Sequence, residues 1–107
     1  MGDSDFENLA DQILARLELQ LADQLEDADV ELRGGILTIE LADGRQYVIN
    51  KHAPNRQIWL SSPVSGATHF AHDAGSGAWR STRGDAILHD LLAAELSAAT
   101  GKPVTLD

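Results

Sequence analysis

The 107-residue chain contains no cysteine. Disulfides, thiolate zinc sites, cysteine nucleophiles and iron–sulfur clusters ligated by this chain's own cysteines are therefore excluded. An absence of disulfides fits a reducing compartment. Only three prolines occur, and 43% of the residues are hydrophobic, so a packed core is expected rather than disorder. The length suits one domain, residues 1–107. No apolar run approaches the roughly 20 residues of a membrane helix. The first residues, Met-Gly-Asp-Ser-Asp, lack the basic character of a signal or transit peptide. No serine stands in a Gly-x-Ser-x-Gly setting, and no glycine-rich phosphate loop follows a strand and opens a helix.

Basic residues are also scarce. Eight Lys and Arg face 17 Asp and Glu, for a net charge of −9. Residues 1–31 hold ten acids and one base, Arg16, and carry that whole imbalance; the remaining seven acids and seven bases cancel. Such a charge repels nucleic acid and favours cations or a basic protein surface. A solvated helix face that keeps the protein soluble is the plainer reading of the same charge.

Hydrophobic periodicity gives the elements. Phe6, Leu9, Ala10, Ile13, Leu14, Leu17, Leu21 and Leu25 fall on one side of a helix expected over about Ser4–Gln24, with Ser4 and Glu7 resembling a capping box. Leu19 points away from that stripe. Short strands follow around Val30–Leu32, Ile36–Leu41, Arg45–Asn50, Gln57–Ser61, Thr68–His72 and Ala78–Thr82, separated by Gly34-Gly35, Ala-Asp-Gly, Pro54-Asn55 and Asp-Ala-Gly-Ser-Gly. Asp85 is placed to cap a second helix whose inward stripe is Leu88, Leu91, Leu92, Leu96 and Ala99, stopped by Gly101. Helix, meander of about six strands, helix implies an α+β two-layer sandwich, both helices on one face of an antiparallel sheet. The six-residue tail after Gly101 looks too short to cover much of the groove between the helices.

In the fourth strand, period two puts Ile58 and Leu60 on one face and Gln57, Trp59 and Ser61 on the other. Trp59 then projects from the open face with nothing of its own chain to bury it. A tryptophan among uncharged hydrogen-bonding neighbours suits the centre of an interaction patch. Long side chains of a neighbouring strand covering it are the alternative. His69 and His72 are read as facing opposite sides of one strand, His52 as a loop residue and His89 as part of the second helix.

The stretch "NKHAPNRQIWLSSPVSG" (Asn50–Gly66), a Phe in the next strand, a Trp after a Gly-rich turn and "LHDLLAAEL" (Leu88–Leu96) closely resemble frataxin. The start, "SDFENLADQILARLE", and the "GKPVTLD" end resemble the bacterial branch of that family. The resemblance implies the α+β sandwich and a part in iron–sulfur cluster assembly. It implies weak, water-completed binding of Fe2+ or Fe3+, with other divalent cations competing, on an acidic ridge of Glu18, Asp23, Glu26, Asp27, Asp29 and Glu31, with Asp11 as a further member. It also implies contact with the cysteine desulfurase–scaffold complex through Asn50, Lys51, Asn55, Gln57, Trp59, Ser61 and His69. An iron-independent adaptor and a ferroxidase acting at the ridge are the alternatives it leaves open. A monomer with iron-dependent oligomers is expected, in a bacterial cytoplasm, or in the mitochondrial matrix if a presequence has been removed. Where mitochondrial members carry Arg, this chain has His69, which weakens a guanidinium-type grip. Leu19 and Gln20 stand where a further ridge acid would be expected.

Overall fold

The computed structural model describes residues 2–107, apart from the side chain of Asp3. The chain runs α1 (Asp3–Gln24), β1 (Asp29–Arg33), β2 (Ile36–Glu40), β3 (Gln46–His52), a single 3-10 turn (Ala53–Asn55), β4 (Gln57–Ser62), β5 (Gly66–His72), β6 (Trp79–Ser81) and α2 (Leu88–Thr100). The strands form one antiparallel sheet in sequence order, β1 to β6. This is the expected two-layer α+β sandwich. The apolar stripe of α1 and Leu88, Leu92 and Leu96 of α2 meet the inward residues of the sheet in one core: Leu37, Ile39, Tyr47, Ile49, Ile58, Leu60, Phe70 and Trp79. Strand parity does the sorting, since every second residue faces the helices and the others face solvent. Gly34 and Gly35 both have positive φ, as a tight two-residue hairpin between right-twisted strands requires. A Cβ on Gly35 would lie 3.1 Å from Lys51 Cε, so this turn also needs the missing side chain.

Three local expectations are corrected. Helix α1 begins at Asp3 behind Gly2, whose carbonyl accepts from the Phe6 N–H; among the described residues no side chain caps it, and Ser4 lies inside the first turn. Asp85 does not cap α2, because Ile87 precedes Leu88 in extended conformation, held by a bridge to Arg80. The C-terminal tail covers more than its length suggests. Val104 is buried, and its N–H donates to Ser97 Oγ at 2.8 Å. Thr105 exchanges two hydrogen bonds with the Gln24 amide, and the Asp107 carboxylate accepts from Arg16 and Gln20.

Two polar ties fasten the layers. The Tyr47 hydroxyl donates to Glu95 Oε1 at 2.9 Å and Ser62 Oγ donates to the same oxygen at 2.6 Å, joining β3 and β4 to α2. Burial, then the Glu95 carboxylate, pushes the Tyr47 hydroxyl up to about 12. Lys51 bridges Glu7 and Asp11 at 2.9 Å each, joining β3 to α1.

Candidate functional site

The acidic segment becomes a shoulder at one end of the molecule. Glu18 and Asp23 lie on α1, Glu26 and Asp27 in the turn after it, and Asp29 and Glu31 on β1, the edge strand. Val30 and Leu32 pack on the core, so Asp29 and Glu31 face outward. Of these six acids, Glu18 is half-buried and the others are exposed. Strand register adds an acid that pattern reading missed: Glu40 of β2 lies directly opposite Asp29. Its signal was available, since Glu40 has the same parity as the outward Thr38. Like charges opposed across strands repel one another, a repulsion that a cation relieves.

Two ridge acids are less free than the sequence suggests. Arg33 pairs with Glu31 at 2.8 Å, both side chains being exposed. Asp11 is held by Lys51, and at 1.5 Å rise per residue it stands about 18 Å from Asp23 along the helix. The structure therefore ties Asp11 to Lys51, away from Asp23. The hydrogen bonds that Lys51 donates to Asp11, then to Glu7, raise it above the ordinary lysine range. Lys51 shares the parity of Ile49 and faces α1, on the side of the sheet opposite Trp59. Leu19 is 71% exposed on the outer side of α1.

The open face brings the other partner candidates together. Asn50, Trp59 and His69 form one row across β3, β4 and β5. Gln57 and Ser61 flank Trp59 on β4, and the exposed Asn55 stands on the 3-10 turn. Arg56, at φ 52°, turns the chain from that turn into β4, a left-handed conformation rare outside glycine. Trp59 is outside the core, as parity requires, but its own chain does cover it. The imidazole of His52 stacks on one face of the indole (centroids 3.6 Å, planes 9° apart) and that of His69 on the other (4.1 Å, 8°). The indole N–H donates to Gln57 Oε1 at 2.8 Å. Trp59 is half-buried as a result. His52 belongs to β3, not to a loop; extending the strand by two residues along the Val48, Asn50 parity would have found it. His72 faces the opposite side, against Trp79.

The comparisons with known proteins agree with this architecture. The profile of the frataxin-like domain matches residues 1–102. The chain belongs to the frataxin family. It is 35% identical to the iron–sulfur cluster assembly protein CyaY of Neisseria meningitidis over 107 residues, covering all of this chain and 97% of the relative. Identity to the mitochondrial frataxin of Arabidopsis thaliana is 38% over 99% of this chain, which spans 59% of that relative's length. Frataxin from Psychromonas ingrahamii superposes with a TM-score of 0.87 at 27% identity over 98% of this chain and 97% of that one. A trimeric frataxin of the yeast Saccharomyces cerevisiae, complexed with ferrous iron, gives 0.77 at 41% identity over 88% and 87%. Among the described residues of this frataxin no three His, Asp or Glu side chains converge on one point, and no helix is long and apolar enough to cross a membrane.

Proposed function

We propose that this frataxin is an iron-binding regulator, or iron chaperone, of iron–sulfur cluster assembly. Fe2+ or Fe3+ is its cargo, held weakly by Glu18, Asp23, Glu26, Asp27, Asp29 and Glu31. The open sheet face, Asn50, Asn55, Gln57, Trp59, Ser61 and His69, contacts a cysteine desulfurase–scaffold complex. One observation carries the reading: the molecule segregates its chemistry, with ten acids on α1, the turn after it and β1 and an aromatic–amide surface on β3 to β5. Two findings support it, the iron–sulfur assembly role named for the Neisseria relative and the ferrous iron bound by the yeast neighbour.

Carboxylate oxygens suit a hard cation, and side chains spread along a shoulder leave much of the coordination to water. Affinity is then low, and Mn2+, Co2+ or Ca2+ competes. The protein works as a monomer, with iron favouring assembly, in the bacterial cytoplasm or the mitochondrial matrix. An iron-independent adaptor is the second reading, and the lack of three converging donors among the described residues favours it.

The test is affinity for the desulfurase–scaffold complex at low and high salt. Neutralising Asp23, Glu26 and Asp27 as amides should remove the salt-sensitive part of binding. Trp59→Ala should remove at least about 2 kcal/mol that persists at high salt. Undiminished binding by both variants would overturn the proposal. Fe2+ titration of the isolated protein separates carrier from adaptor.

A further inference from the structure

The stack on the open face has a consequence for how Trp59 is used. We propose that His52 and His69 clamp Trp59 so that it meets its partner edge-on, and that His52 is a positioning residue of the surface. The inference rests on the partner-surface reading above and names a member that reading does not contain.

Both faces of the indole are occupied by near-parallel imidazoles, and its N–H is engaged by Gln57. What remains to be buried is the carbon edge of the ring. A partner therefore finds no free face for a guanidinium, a proline or another aromatic ring to lie on. The surface fits a protein with a narrow apolar cleft that takes the indole edge, its walls offering hydrogen bonds to Asn50, Gln57 and Ser61. The clamp also fixes the Trp59 rotamer before binding, so the complex forms without ordering that side chain. His52 reaches Trp59 diagonally, because its direct cross-strand partner is Gln57. Among the described residues, His52 Nδ1 is buried without a hydrogen-bond partner. Stacking, not a hydrogen bond from that nitrogen, accounts for its place here, and a flat apolar ring should substitute for it.

The experiment compares His52→Ala, His52→Phe and Trp59→Ala in the full-length protein. It reads the two indole N–H resonances by NMR and the affinity for the desulfurase–scaffold complex. His52→Ala should shift and broaden the Trp59 resonance and leave that of core Trp79 in place. It should weaken binding roughly three- to tenfold, the ordering cost of one side chain. His52→Phe should restore both readouts. The proposal is overturned if His52→Ala leaves the Trp59 resonance or the affinity unchanged, or if His52→Phe fails to restore binding. If Trp59→Ala weakens binding and His52→Ala does not, only the positioning role falls. If Trp59→Ala itself has no effect, the partner-surface reading falls with it.

Discussion

Trp59 and Trp79 carry the same ring in opposite settings, and their replacement should separate binding from folding. Trp79 is 2% exposed and meets Phe6 edge-on at 6.1 Å. Trp79→Ala should cost about 3–5 kcal/mol in a denaturant melt, as for a core aromatic. Trp59→Ala loses two ring stacks and should cost about 1–2 kcal/mol, more than an ordinary surface change because His52 and His69 both lose their partner. Equal costs would place Trp59 in the core. Lys51, whose side chain is 20% exposed, ties α1 to β3. Lys51→Met should cost up to about 1 kcal/mol at low salt and less as salt rises. A loss independent of salt would mean that its methylene stem, not its charge, does the holding. Strand parity explains what was legible here. Asn50 and Lys51 are adjacent in β3 and cannot share a face, so the parity that put Trp59 outside also turns Lys51 towards α1. The imidazole stack was not legible, because it depends on diagonal reach between strands whose register no sequence pattern prints.

At the scale of elements, both helices and all six strands were readable from periodicity and turn residues. Their caps were not: Ser4 and Asp85 are good capping residues that stand one and three positions from where the helix ends fall. The tail was misjudged for a different reason. Its anchors, Arg16, Gln20 and Gln24, read as the wet side of α1, and only the fold shows them bonding Asp107 and Thr105. Val104→Ala should therefore cost about 1–3 kcal/mol, measured by urea denaturation; no loss would mean the tail lies on the groove without holding it. His89 of α2 gives this region a pH dependence. Burial, opposed by the charges of Asp90 and Asp107 and aided by that of Arg16, holds His89 below its ordinary value of 6.5. Its Nε2 is buried without a partner among the described residues. The unfolded chain then takes the proton first on acidification. Stability is full above about pH 6.5 and falls as pH drops from there through the lower folded value. His89→Gln should flatten that part of a melting-temperature profile. An unchanged slope would assign it to other groups.

The whole molecule is electrically lopsided, its charge of −9 being carried by residues 1–31. That charge, on α1, the following turn and β1, repels itself in the compact state. Salt or divalent cations should raise the melting temperature, by screening and by binding to the native form; no rise with either would mean that this repulsion is not felt. The imbalance itself was plain in the sequence, as was the outward parity of Glu40, whereas the placement of Asp11 beside Lys51 came only with the fold. The central claim is that the acidic shoulder, and no histidine, receives iron. Its most direct test is an anaerobic Fe2+ titration followed amide by amide in 15N NMR. Paramagnetic broadening should centre on Glu18 and on Asp23 through Glu31, reach Glu40, and spare α2. Broadening centred on His69, His72 or α2, with the shoulder untouched, would contradict the account.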